Sequence, residues 1–127
     1  GAKRVLPLPV SVPSHCALMK PAADELAKAL ENIQFNTPVI SVINNVDVAQ
    51  ETDPAAIKDA LVRQLYLPVR WTEVVETMAG LGVTLEIEAG PGKVLSGLVK
   101  RINKTIAGHA INDVAGLNEA LAAANEE

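Results

Sequence analysis

Two histidines, His15 and His109, are the residues of this sequence best suited to general acid–base chemistry. An imidazole takes or gives a proton near neutral pH and can activate a serine or a cysteine as a nucleophile. His15 stands between Ser14 and Cys16, but the side chains of adjacent residues point apart, so a local nucleophile–base pair is disfavoured. If His15 is a base, its partner lies elsewhere. The residues by themselves favour a hydrogen-bonded structural role for both histidines.

The glycine-rich segment Gly90–Lys93 (Gly-Pro-Gly-Lys) does not have the pattern of a phosphate-binding loop. A P-loop requires a glycine five positions before its Gly-Lys pair and a Ser or Thr after the lysine, but Ile87 and Val94 occupy those positions. We therefore interpret the segment as a strand-to-helix turn. The two histidines have no second histidine or cysteine at helical ligand spacing, so no metal site is predicted.

The composition excludes several classes of protein. The 127 residues are 49% hydrophobic and 20% charged, which is too apolar for a disordered chain and allows a sizeable core. A net charge of −4 and only three aromatic residues argue against nucleic acid as a partner, because it is bound through basic surfaces and stacked rings. With one cysteine and no apolar run of about 18 residues, we expect a cytoplasmic protein with no membrane partner.

Strands alternate with helices along the chain, which predicts an α/β fold with mainly parallel strands and sites at their carboxyl ends. Alternating prolines make Val5–Val12 an extended edge or exit strand. The other elements predicted from apolar periodicity and capping residues are a helix over 20–32, a strand over Val39–Ile43, a helix from Asp53-Pro54 that stops before Pro68, a helix over 71–81, a strand over Val83–Glu88, a helix over Val94–Ile102, a strand over Thr105–Ile111 and a helix capped by Asp113.

Three ordered motifs resemble those of one known family. They are Val10–Met19 (VSVPSHCALM), Gln64-Leu65 followed by Pro68–Trp71 (PVRW), and Glu88–Leu95 (EAGPGKVL) followed by Gly97-Leu98. In this order, and over the whole chain, they closely resemble the last part of bacterial malonyl-CoA:acyl-carrier-protein transacylases. The resemblance implies that residues 13–127 are the C-terminal part of a large α/β-hydrolase-like subdomain. It also implies that residues 1–12 are the end, with the last strand, of a ferredoxin-like small subdomain.

The resemblance also implies a site and a reaction. It implies that His15 is the catalytic base of a serine acyltransferase that moves malonyl from malonyl-CoA to the phosphopantetheine thiol of acyl carrier protein. It further implies that the main-chain carbonyl of Gln64 orients the ring of His15, in place of a triad carboxylate. Because a helix stopped by Pro68 leaves the Gln64 carbonyl in its last turn without an intrahelical donor, this role is physically coherent. Malonyl-CoA is a substrate, and no cofactor is expected.

The chain also departs from the family pattern. The Gly-His-Ser-Leu-Gly nucleophile elbow, a Gln-Gly oxyanion segment and the arginine that pairs with the malonyl carboxylate have no counterpart in it. With no initiator Met, the chain is expected to be a C-terminal portion of such an enzyme. We expect it to supply the base, to be inactive alone and to require the missing N-terminal part as a partner. Two alternatives stay open: a non-enzymatic α/β interaction module, and a thiol enzyme that uses Cys16 with His15.

Overall fold

Helices and short parallel strands make up the chain, which confirms the predicted α/β class. A computed structural model describes residues 1, 3–7 and 10–125. Their elements are α1 (Lys20–Glu31), α2 (Pro54–Arg63), α3 (Trp71–Gly80), β1 (Leu85–Ala89), α4 (Val94–Ile102), β2 (Ala107–Ile111) and α5 (Val114–Asn125). Internal contacts divide the chain into two units, Gly1–Arg70 and Trp71–Glu127. The boundary expected between residues 12 and 13 concerns the family's subdomains and stays a prediction.

The first unit contains α1 and α2, which pack against each other. Pro21 lies in the first turn of α1, where its missing N–H costs no hydrogen bond, and a 3-10 turn over Ala17–Met19 leads into this helix. Asp53 caps α2 by accepting a hydrogen bond from the Ala56 N–H at 2.9 Å. The buried helix residues of this unit are small or aliphatic: Ala23, Leu30 and Ala60. Both helices predicted for this unit are confirmed.

Of the two strands predicted in the first unit, Val39–Ile43 is wrong, and Val5–Val12 is not formed by those of its residues that the structure describes. Val39–Ile43 contributes only an isolated antiparallel bridge from Ile43 to Gln50, and Val39 is fully exposed. A strand is stabilised by hydrogen bonds to a neighbouring strand, and within the described ranges no strand lies beside residues 39–42. The Val5–Val12 strand, expected as the last one of the small subdomain, is not formed by residues 5–7 or 10–12; Leu8 and Pro9 lie outside the described residues. β-branched composition favours a strand, but pairing decides whether it forms.

The second unit is a parallel two-stranded sheet packed against helices. β1 pairs with β2 from Leu85 opposite Ala107 to Ala89 opposite Ile111, and α4 is the crossover that parallel pairing requires. The buried core cluster consists of Val75, Val99 and Ile106, and Trp71, Met78, Ala79 and Ile102 pack against it. The helices and strands predicted after residue 70 are confirmed, with their ends shifted by a residue or two.

The last helix approaches β2 closely at Gly116. The N–H of Gly116 donates to Asp113 Oδ1 at 2.8 Å, which makes Asp113 the predicted cap of α5. A Cβ placed on Gly116 would collide with the main-chain carbonyl oxygen of Ala110 in β2. Glycine is therefore required here for close packing of the helix on the strand. None of the helices in the described ranges, α5 included, is long and apolar enough to cross a membrane.

Candidate functional site

His15 lies just before the 3-10 turn, and its backbone is held by the segment that follows α2. Its φ is +61°, in the left-handed region that a residue with a Cβ seldom adopts. Its N–H donates a hydrogen bond to the carbonyl of Leu65 at 2.9 Å. A strained backbone persists only where the surrounding structure over-determines it. The position of His15 is therefore fixed by its contacts rather than by its own conformational preference.

The ring of His15 contacts the same segment. Its Nδ1 lies 2.7 Å from the main-chain carbonyl oxygen of Gln64. Because a carbonyl can only accept a hydrogen bond, Nδ1 carries the hydrogen, and in the neutral ring Nε2 keeps its lone pair. The residue is exposed, so Nε2 is accessible to a proton donor. This arrangement holds the ring in a tautomer that can act as a general base.

The sequence after α2 explains why the Gln64 carbonyl is available. α2 ends at Arg63, and Gln64 still donates its N–H to the carbonyl of Ala60. The intrahelical partner of the Gln64 carbonyl would be the N–H of residue 68, but Pro68 has none. This orphan acceptor lies at the negative end of the helix dipole, which favours a positive charge on the ring. The structure brings His15 and Gln64 into contact, and their catalytic roles stay predictions.

The thiol of Cys16 is directed to a carbonyl rather than to the ring of His15. Its Sγ donates a hydrogen bond to the carbonyl of Pro13 at 3.2 Å, while Nδ1 of His15 is bonded to Gln64. A thiol mechanism needs the thiol hydrogen to reach the imidazole that removes it, and here that hydrogen points to a carbonyl. The thiol-enzyme alternative therefore gains no support from this geometry.

An ion-pair cluster that was not predicted from the sequence lies directly before Gln64. Arg63 donates its two terminal nitrogens to the two carboxylate oxygens of Asp47, at 2.9 and 2.6 Å, and its Nε to Asp59 at 2.6 Å. The hydrogen bond from Arg63 lowers the pKa of Asp47, and the bonds from Asp47 and Asp59 raise the pKa of Arg63. The spacing of Asp59 and Arg63 on one helix is a recognisable pair. No sequence pattern connects Asp47 with Arg63.

The loop that carries Asp47 is ordered by its own hydrogen bonds. Oδ1 of Asn44 accepts the N–H groups of Val46, at 3.1 Å, and Asp47, at 2.7 Å. The main chain of Asn44 closes the loop, because its N–H donates to Ala49 at 3.0 Å and its carbonyl accepts from Val48 at 3.2 Å. Val48 has a φ of +57°, an outlier for a β-branched residue. The loop is thus fixed in a conformation that its sequence alone does not favour.

In the second unit, the Gly-Pro-Gly-Lys segment connects β1 to α4, as the sequence predicted. Glu88 accepts hydrogen bonds from the Ser96 N–H, at 2.9 Å, and the Ser96 hydroxyl, at 2.8 Å. These bonds, chiefly the one from the N–H, lower the pKa of Glu88. A carboxylate thus occupies the helix N-terminus where a phosphate would bind. His109 is half-buried in β2, and its carbonyl oxygen lies 3.3 Å from the Ser96 hydroxyl, whose hydrogen is directed to Glu88.

Neither the cavity beside Gln64 nor a cluster of metal ligands adds a second candidate site. A cavity of about 130 Å³ beside Gln64 has a mostly apolar lining formed by Pro38, Val42, Asn44, Glu51, Ile57, Ala60, Leu61 and Gln64. It is small for a cofactor, since such sites measure roughly 300–1,000 Å³. In the part of the chain that the structure describes, no group of three or more His, Cys, Asp or Glu residues could hold a metal ion.

Comparison with known proteins gives matches that cover nearly all of the chain, although no protein-family model matches it. The chain is 66% identical over 118 residues to the malonyl CoA-acyl carrier protein transacylase of Haemophilus influenzae, and the match covers 93% of this chain and 38% of that protein. It is similar to the crystal structure of an acyl carrier protein S-malonyltransferase from Vibrio cholerae, with 71% identity and a TM-score of 0.86. That match covers 94% of this chain and 39% of the other chain.

A third match is a solved complex of a type II PKS acyl-carrier protein with its malonyl-transacylase. The identity is 60%, the TM-score is 0.90, and the match covers 97% of this chain and 40% of that chain. The fold described above is therefore shared with solved malonyl-transacylases over nearly all of this chain. The chain spans about two fifths of the length of the relatives it matches.

Proposed function

We propose that His15 is the general base of a malonyl transfer, because the chain belongs to the malonyl CoA-acyl carrier protein transacylase family. The observation that carries the proposal is the 2.7 Å hydrogen bond between His15 Nδ1 and the Gln64 carbonyl. This bond leaves Nε2 as the basic atom of an exposed ring. A base with this geometry can take a proton from a hydroxyl or a thiol that is brought to it.

The proposed reaction moves malonyl from malonyl-CoA to the phosphopantetheine thiol of acyl carrier protein. Nε2 takes the proton of a serine hydroxyl as the serine oxygen attacks the thioester carbonyl, and the imidazolium returns it to the departing CoA sulfur. In the second half, Nε2 takes the proton of the carrier thiol as its sulfur attacks the malonyl-serine ester. The serine oxygen then leaves and recovers a proton from the ring. Each half therefore restores the neutral imidazole.

In this proposal the Gln64 carbonyl does the work of the aspartate in a Ser-His-Asp triad. It accepts the Nδ1 hydrogen, which fixes the tautomer, and the negative end of α2 stabilises the imidazolium formed in each half-reaction. The main chain supplies both effects. We therefore expect Gln64→Ala to retain the hydrogen-bonded Nδ1–H signal in an NMR spectrum, whereas loss of that signal would show that the side chain is required.

The proposal requires two partners. The serine comes from the portion of such an enzyme that this chain does not span, so we expect the chain to be inactive alone. The acceptor is acyl carrier protein, and the solved complex of a related malonyl-transacylase with its carrier protein supports this choice. The reaction needs no metal and no redox group, because both half-reactions are acyl transfers accompanied by proton transfers.

The test measures malonyl transfer to acyl carrier protein by intact-mass spectrometry. The chain alone should gain no malonyl adduct from malonyl-CoA, and adding the complementary portion of a related transacylase should restore transfer. His15→Ala should then lower the rate by roughly 10²- to 10⁴-fold, the contribution of a general base. His109→Ala is the matched control, because it removes the chain's other histidine, which lies in the second unit. The His109→Ala variant should transfer malonyl at the unchanged rate.

Two outcomes would contradict this proposal. A malonyl adduct on the isolated chain that disappears in Cys16→Ser would establish a thiol mechanism instead. Equal transfer rates for His15→Ala and His109→Ala would remove His15 from the reaction. The same pair of substitutions at the matching positions of a full-length relative gives this comparison without reconstitution.

A further inference from the structure

We infer that Asp47 and Arg63 form a clamp that positions the base, because it fixes the segment whose carbonyls hold His15. The inference rests on the proposed function of His15 and adds two positioning residues to it. The clamp is bidentate, with both terminal nitrogens of Arg63 on both oxygens of Asp47. Such a pair fixes orientation as well as distance, because two parallel hydrogen bonds define a plane.

The clamp acts at the residue that precedes the orienting carbonyl. Arg63 is the last residue of α2, and its own carbonyl accepts the N–H groups of Tyr66, at 3.2 Å, and Leu67, at 3.0 Å. The turn that presents the Gln64 and Leu65 carbonyls is therefore closed on Arg63. A displacement of Arg63 would move both carbonyls, and with them the ring and the backbone of His15.

The loop over residues 44–50 also holds the other end of the same segment. The N–H of Arg70 donates to the carbonyl of Asn45 at 3.1 Å, and its Nη1 lies 3.4 Å from the carbonyl of Val46. The segment from Arg63 to Arg70 is thus tied to one loop at both ends. The carbonyls between these ties have little freedom to move away from His15.

Backbone strain occurs at both ends of this connection. Among non-glycine residues in the described ranges, only His15 and Val48 have a positive φ, +61° and +57°. Val48 follows Asp47 directly, and His15 is bonded to the residues that follow Arg63. Strained conformations of this kind cluster at functional sites, where the surrounding structure over-determines them. The clamp connects the two strained positions through Asp47 and Arg63.

Asp59 offers a matched control for Asp47. It accepts a hydrogen bond of 2.6 Å from the same guanidinium, but its side chain is 63% exposed, against 35% for Asp47. Asp59 also lies on α2 itself, so its bond cannot fix the helix end relative to the loop. Replacing either aspartate by asparagine removes one negative charge beside Arg63. Only Asp47→Asn weakens the connection between the loop and the helix end.

The experiment records the ¹⁵N and ¹H signals of the His15 ring in the 127-residue chain at one fixed pH for all variants. We expect the unsubstituted chain and Asp59→Asn to show one Nδ1–H tautomer. In Asp47→Asn we expect the ring to become a mixture of tautomers and the Nδ1 hydrogen to exchange with water roughly tenfold faster. Arg63→Lys, which keeps the charge but not the paired hydrogen bonds, should give an intermediate exchange rate.

Backbone amide spectra of α1 and α2 show whether each variant keeps the fold of the first unit. If Asp47→Asn unfolds the first unit, Arg63→Lys becomes the test of the clamp. An unchanged His15 ring signal in Arg63→Lys would then overturn the inference. An unchanged tautomer in a folded Asp47→Asn, or equal losses in Asp47→Asn and Asp59→Asn, would overturn it as well. The ring signals can be measured without malonyl transfer. A failed transfer assay with the expected NMR result would therefore refute the proposed function, but not the conclusion that the clamp positions the His15 ring.

Discussion

Gly116 and Gly97 both lie inside helices, and replacing each by alanine should change stability in opposite directions. Gly116, in α5, is buried, and an added Cβ would lie well under 3.0 Å from the Ala110 carbonyl oxygen. Gly97, in α4, is exposed, and an added Cβ would meet nothing within 4 Å. The two substitutions are chemically identical and both fall in the second unit. Their comparison therefore isolates the close approach of α5 to β2.

The size of each effect follows from two opposing contributions. Alanine in a helix is favoured over glycine by about 0.5–1 kcal/mol, because glycine loses more backbone entropy on folding. At Gly97 this gain stands alone, so Gly97→Ala should stabilise the unit by about that amount. At Gly116 the collision involves main chain rather than a flexible side chain, so α5 must shift, at a cost of roughly 1–3 kcal/mol. Gly116→Ala should therefore destabilise the unit by a net amount of up to about 2.5 kcal/mol.

Urea unfolding followed by tryptophan fluorescence measures both changes. Trp71 is the only tryptophan of the chain and packs against the core cluster of the second unit, so its emission reports on that unit. The two midpoints should lie on opposite sides of the unsubstituted chain, with the slope of the transition unchanged. In a thermal scan the separation should be roughly 4–8 °C for each kcal/mol.

Two results would refute the reasoning about this pair of glycines. If Gly116→Ala is as stable as Gly97→Ala, the collision with Ala110 does not exist in solution. If both variants lose stability equally, the entropy argument for Gly97 fails. Hydrogen exchange in β2 distinguishes a local shift of α5 from global loss of structure, because a local shift leaves the β1–β2 amides protected.

Two further predictions concern a helix cap and a carboxylate. Asp53→Ala should destabilise the first unit by about 1 kcal/mol, because it leaves the Ala56 N–H at the start of α2 without its acceptor; urea unfolding followed by circular dichroism at 222 nm checks this, and an unchanged midpoint would argue against the cap. The Ser96 N–H lowers the pKa of Glu88 below its ordinary value of 4.5 in the folded state, so the stability that Glu88 contributes is present above pH 4.5 and is lost as pH falls through the lowered value. Trp71 fluorescence should therefore show a steeper loss of stability below pH 4.5 in the unsubstituted chain than in Glu88→Gln, and equal slopes would contradict the prediction.

Local signals in the sequence predicted most helices of the chain. Asp53 with Pro54, and Asp113 before a periodic apolar run, fix helix starts through one hydrogen bond or one restricted φ, so neighbouring residues suffice to locate them. The parallel pair β1 and β2 was also predictable, because a helix separates two short apolar strands. The predicted strand over Val39–Ile43 failed because a strand depends on its neighbour, which local sequence does not describe.

The site was only partly accessible from sequence. The orphan carbonyl of Gln64 follows from the position of Pro68, but its pairing with His15, 49 residues away, was expected only through the family resemblance. The bond between Asp47 and Arg63 links a loop to a helix end, and no periodicity or motif marks such a contact. The left-handed backbone of His15 could not be predicted either, because a histidine in a sequence does not indicate a positive φ as a glycine does.

The left-handed backbone of His15 has a consequence for selection. A residue with a Cβ costs roughly 1–2 kcal/mol in this conformation, whereas glycine adopts it freely. A glycine at position 15 would lose one ring hydrogen bond, worth about 1 kcal/mol, and gain about as much from relief of strain. Selection for cellular abundance alone is therefore nearly blind to histidine at this position. If histidine persists at this position in a lineage, selection must act on the chemistry of its side chain rather than on stability.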